Sequence, residues 1–115
     1  MSEPDAGSLF LVDELPAEIS FWNGDIDAGG ADVYSGSAQI GFSQINGAGI
    51  SFDPIMDFRV STNLTPPQSF SDCSTIVQDD TYRDDVRYLC FNPTGTFLTG
   101  TPAPTIEFSF RFRIN

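Results

Sequence analysis

The sequence predicts an all-β domain: a two-sheet β-sandwich of mostly antiparallel strands. Three observations point there. Apolar and polar residues alternate in short runs, no segment of eleven or more residues holds a helical period, and Gly, Pro, Asn and Asp punctuate the chain about every ten residues. A chain of 115 residues is the size of one domain with its own core, here residues 9–115 after a polar leader, 1–8.

Leu9–Val12 is the first strand-like run, ended by Asp13-Glu-Leu-Pro16. Glu18–Trp22 is the second, closed by the turn-rich stretch Asn23–Asp32. A third covers Ser37–Gln44, with Ile40 and Phe42 alternating against polar neighbours. Ile50–Phe52 and Met56–Ser61 repeat the pattern on either side of Asp53-Pro54, which turns the chain; Met56, Phe58 and Val60 are expected on one face. Asn63–Asp72 reads as a Pro/Ser/Thr-rich loop and Asp79–Asp85 as an acidic loop partly neutralised by Arg83 and Arg87. Val86–Phe91 is a strand ended by Asn92-Pro-Thr-Gly95, and Thr96–Leu98 is short.

The clearest element is Thr105–Ile114. Ile106, Phe108, Phe110, Phe112 and Ile114 alternate without a break against Thr105, Glu107, Ser109, Arg111 and Arg113. At ~3.3 Å per residue such a strand runs the full height of a sandwich. It either closes the core of its own domain or inserts into a neighbour's, because a terminal strand is the easiest to exchange.

Composition excludes several chemistries. The chain has no His and no Lys, since its five cationic residues are all Arg. A Ser-His-Asp or Cys-His nucleophile, a Schiff-base or P-loop lysine, a His-ligated zinc and an intramolecular Lys–Asn cross-link are therefore ruled out. The net charge of −11 repels phosphate backbones and anionic headgroups, which argues against nucleic acid and membrane surfaces as partners. The apolar runs are too short for a transmembrane helix, and Met1–Ser8 lacks the basic start and apolar run of a signal peptide, so an exported form has its signal upstream or has lost it.

Cys73 and Cys90 enclose sixteen residues. A bridge closing such a loop contributes ~3 kcal/mol in the chain-entropy model, and no ligand-like partner accompanies the two thiols, so a disulfide and an oxidising compartment are favoured.

With the strands placed, Leu11-Val-Asp-Glu-Leu-Pro16, the Asp-Ala-Gly-Gly loop, Val86-Arg-Tyr-Leu-Cys-Phe-Asn-Pro-Thr-Gly-Thr-Phe97 and Phe108-Ser-Phe-Arg-Phe-Arg-Ile114 resemble, in order and spacing, the repeat domains of bacterial cell-surface and secreted proteins called "domain of unknown function eleven". The resemblance covers about Leu9 to Ile114. It implies an immunoglobulin-like sandwich, export, and a structural or adhesive role without catalytic residues. Those repeats begin with further strands before the Asp-x-Leu-Pro strand, so the resemblance also implies a sandwich short of a strand or two. A neighbouring domain of the same surface protein, or a strand from another copy of the chain, would complete it.

No cofactor is expected, with one candidate exception. Asp25, Asp27 and Asp32, with Asn23, place alternating oxygens on one Gly-rich loop as Ca²⁺ requires. The EF-hand pattern is missed, because Ala28 stands where its Gly belongs and no Glu closes the ring; a solvated turn is the competing reading. Phe21-Trp22, Tyr34 and Tyr82 are candidates for a sugar-stacking platform, although adjacent strand residues face opposite ways, so one of Phe21 and Trp22 belongs to the core. Asn63-Leu-Thr65 fits the N-glycosylation sequon. The function expected is a non-catalytic structural unit of a surface protein or extracellular filament. A calcium- or carbohydrate-binding adhesion module and the globular head of a pilin or pseudopilin are the alternatives.

Overall fold

The computed structural model describes residues 9–26, 39–45, 50–95 and 105–115. Among these residues, apart from one 3-10 turn at Phe70–Asp72, the regular structure is all strand: β1 (Leu11–Glu14), β2 (Ile19–Trp22), β3 (Gly41–Ile45), β4 (Ile50–Ser51), β5 (Phe58–Ser61), β6 (Tyr82–Arg83), β7 (Tyr88–Phe91), β8 (Thr94–Gly95), β9 (Thr105–Ser109) and β10 (Phe112–Ile114). These pair antiparallel in the orders β1-β7-β5, β10-β2-β6, β3-β9 and β4-β8. The fold is all-β and sandwich-like, as the alternation predicts. The leader 1–8 and the strand expected at Thr96–Leu98 lie outside the described residues.

The period of two explains β7, the central strand of its sheet. Leu89 and Phe91 point to one face and join Leu15, Phe21, Ile40, Phe58, Val60 and Val86 in the main core. Tyr88 and Cys90 point to the other and are buried with Cys73 under Phe10 and Phe70. All four residues of β7 are therefore buried.

Phenylalanine holds the two layers together. Ring contacts run from Phe112 through Phe110, Phe21, Phe58, Phe91 and Phe108 to Phe52 and Phe42, with centroid separations of 4.3 to 6.3 Å. Each such pair adds ~0.5–1.5 kcal/mol beyond its buried area. The Phe21–Phe58 and Phe91–Phe108 pairs cross between β2 and β5 and between β7 and β9, so they join the layers.

Four expectations are corrected. Thr105–Ile114 is two strands, because the chain changes neighbour between them: Ser109 is opposite Gly41 of β3, whereas Phe112 is opposite Phe21 of β2. Its apolar row is also unevenly covered, Phe108 and Phe110 packing on the core while Phe112 and Ile114 are 49% and 75% exposed. Met56 leaves the core row and is 70% exposed. There the Asp53 carboxylate accepts from the N–H groups of Ile55 (2.9 Å) and Met56 (3.2 Å), coiling the chain so that extended structure starts only at Phe58. Finally, Thr94–Gly95 does not merely end a strand but pairs with Ile50–Ser51, and the acidic loop contains the short strand β6.

Candidate functional site

β1 is one edge of its sheet, opposite β5, and β10 one edge of its own, opposite β6; among the described residues neither β1 nor β10 has a strand on its outer side. The stretch from β1 past Phe110 to β10, with a cavity beside each strand, is the open side of the sandwich. β1 lies against β7 with Leu11 opposite Phe91 and Asp13 opposite Leu89. Leu11, Asp13 and Leu15 therefore share the core-facing side of this edge. A cavity of about 250 Å³ follows, lined by Leu11, Val12, Asp13, Phe91, Phe108 and Phe110. A second, of about 310 Å³, continues past Phe110 along Ile26, Arg111 and Phe112. On β10, Phe112 and Ile114 align with Phe21 and Ile19 and so face inward, yet they remain half and three-quarters exposed, and no strand among the described residues lies beyond them.

Asp13 is the one acid in this apolar row. Asp13 is exposed along the edge and its carboxylate makes no ion pair among the described residues, while the partial loss of water beside the groove raises its pKa above the usual carboxylate value. Sequence reasoning read Asp13 only as a strand terminator. The available signal was its spacing, two residues from Leu11 and two from Leu15.

The residues singled out for calcium are differently placed. Asn23 is fully buried. Its Nδ2 donates to the Val77 carbonyl (2.8 Å) and to Asp79 Oδ1 (2.9 Å), while its Oδ1 accepts from Gln39 Nε2 (3.1 Å). Its carbonyl also accepts from the N–H groups of Asp79 and Asp80, both at 3.0 Å. Asn23 thus anchors the 77–80 segment. Gly24 is required beside it, since a Cβ there would stand 2.6 Å from Asp80 Oδ1 and 2.9 Å from the Trp22 ring. Asp25 is half-buried and its carbonyl accepts from Trp22 Nε1 (3.2 Å); Asp27 and Asp32 lie outside the described residues.

In the acidic loop Arg83 pairs with Asp85 at 2.7 Å and Asp79 at 3.6 Å, and among the described residues Arg87 takes part in no ion pair. Hydrogen bonds from Thr81 and Asn23, with the Arg83 charge, hold the Asp79 carboxyl below its ordinary pKa, and the Arg83 guanidinium does the same for Asp85. Of the aromatic candidates, Phe21 is core and Trp22 points the other way against Tyr82, ring centroids 4.9 Å apart; Arg113 stacks over Tyr82 at 4.5 Å. Tyr34 lies outside the described residues. Asn63 and Thr65 of the sequon are exposed on the loop after β5.

Cys73 and Cys90 form a disulfide. It fastens the 62–74 segment to the outer face of the β1-β7-β5 sheet, where Phe70 meets Phe10 edge-on and Arg59 stacks on Phe70 at 4.3 Å. Among the described residues no helix is long and apolar enough to cross a membrane.

Searches against family models, curated proteins and solved structures found no match to this chain.

Proposed function

We propose that this chain is a non-catalytic structural module of an exported protein, a surface protein or an extracellular filament, joined to its neighbours by β-strand pairing. The observation that carries the reading is the open side: two unpaired strand edges, β1 and β10, flank inward-facing apolar residues that lack cover among the described residues. Exposed edges of this kind are templates for another strand, and proteins that do not use them normally blunt them. The Cys73–Cys90 disulfide adds to it, because such bonds form and persist in oxidising compartments. The resemblance to surface-protein repeats is in keeping with the same role.

Size-exclusion chromatography and electron microscopy of native material test the reading. Assembled species, or this domain embedded in a longer surface protein, are expected. Compact monomers released from a reducing compartment would overturn it.

A further inference from the structure

The open side also indicates which strand fits it. Any strand added to β1 continues the sheet, so its side chains alternate between the core-facing row of Leu11, Asp13 and Leu15 and the outer row of Val12 and Glu14. The core-facing residues of the incoming strand meet Leu11, the Phe91, Phe108 and Phe110 rings, and Asp13. All of these ask for apolar contact except Asp13. Closing the groove over it would strip water from a carboxylate that has no ion-pair partner among the described residues, a cost that protonation relieves at low pH and a paired cation offsets at neutral pH.

From this geometry we infer that the groove along β1 receives an extended segment of a different polypeptide, apolar at alternate positions and carrying one arginine or lysine in its core-facing row, set against Asp13.

A second copy of the chain does not meet that requirement. Of its edge strands, β1 offers Leu11, Asp13 and Leu15 and β10 offers Phe112 and Ile114 in the core-facing row, with Arg113 on the opposite face, while the Arg83 that β6 places opposite Phe21 is already held by both oxygens of Asp85. None of these brings an uncommitted cation to Asp13. Each copy also has a net charge of −11, so like copies repel whereas a basic strand is attracted. The inference rests on the structural reading only in taking strand pairing as the mode of assembly.

The test uses the whole chain with its disulfide intact and capped peptides of roughly nine residues, long enough at ~3.3 Å per residue to overrun β1. Valine alternates with serine, and one valine position, walked along the peptide, is replaced by lysine or by glutamate. Amide shifts report the site and calorimetry the affinity. In one register the lysine peptide should perturb residues 11–15 and bind about tenfold more tightly than its glutamate counterpart. Asp13→Asn should shrink that ratio to less than about twofold and remove most of the salt dependence. Equal binding of the lysine and glutamate peptides would overturn the inference. So would a wild-type dimer in sedimentation that buries β1. A third overturning result is that no peptide binds while Asp13→Val self-associates, for then Asp13 only guards a bare edge. None of these would disturb assembly seen in native material; conversely, selective lysine-peptide binding by a chain that is monomeric in its native setting would sink the structural reading and leave the groove.

Discussion

Two apolar rows of the sandwich, one on the outer face of the β1-β7-β5 sheet and one on the edge strand of the β10-β2-β6 sheet, pose the same problem and solve it differently. On its outer face, Tyr88 and Cys90 form an apolar row, and the 62–74 segment covers it with Phe70, a disulfide from Cys73, and the Ser74–Val60 bridge. At the open side Phe112 and Ile114 form a comparable row on β10, and no described segment crosses it. Alternation in the sequence marks which residues share a face. Whether that face has a cover depends on a separate stretch of chain, and here the cover that exists is held by a covalent bond and by Arg59, whose Nη1 donates to the Phe70 carbonyl at 3.1 Å.

The sharpest way to break the contrast is at Phe21, which is fully buried and touches both Phe58 and Phe110. Phe21→Ala should cost about 3–5 kcal/mol in urea unfolding, the range for truncating a core phenylalanine. A loss near 1 kcal/mol would mean that the layers are not held together by this ring chain.

Next in size is the covered flank itself. Replacing both Cys73 and Cys90 with Ser removes a cross-link spanning 17 residues and should lower stability by ~3 kcal/mol. Protection of the Tyr88 and Cys90 amides against hydrogen exchange should fall with it as the 62–74 cover loosens. If stability drops but exchange on β7 is unchanged, the disulfide acts on the unfolded chain alone and the cover is held by Phe70 and Arg59.

The open flank should respond far less. Phe112 is half exposed already, so Phe112→Ala should cost no more than about 1 kcal/mol in the same unfolding experiment. A loss matching that of Phe21→Ala would show that Phe112 is covered in solution by some other segment.

How much of this was legible follows the range of the interactions. Strand content, the opposite facing of Phe21 and Trp22, and the shared face of Phe58 and Val60 on β5 follow from the local period of two, which does not say which of Phe21 and Trp22 is the inner one. The break between β9 and β10 does not, because the apolar alternation continues unchanged while the backbone partner switches from β3 to β2. Met56 was misplaced by a short-range effect, the Asp53 carboxylate capturing two backbone N–H groups. Asn23 looked like a calcium ligand because turn-rich stretches favour Asn. Its real partners, Gln39, Val77 and Asp79, lie 16, 54 and 56 residues away and leave no local trace. Asp13 stood in view as an acid in an apolar row, but its significance depends on what lies beyond β1.

Acid titration separates the acidic loop from the open side by sign, with the smallest effects of the set. Asp79 and Asp85 have lowered pKa values in the folded chain, so each contributes stability that is present above the unfolded carboxylate value of about 3.9 and is lost as pH falls through the folded value. Asp13 is raised, so the folded state binds its proton more readily than the unfolded one, and stability is lost as pH climbs from about 3.9 through the folded value. Thermal melts between about pH 2 and pH 7 should therefore respond in opposite directions. Asp85→Asn lowers the midpoint at neutral pH and makes the acid limb shallower, since it removes the carboxylate that Arg83 grips. Asp13→Asn raises the midpoint at neutral pH and leaves it unchanged below about pH 3, where the wild-type carboxyl is already protonated. If Asp13→Asn instead lowers the neutral midpoint, the carboxylate has a cation beside it in solution, and the β1 groove is occupied by the protein's own chain.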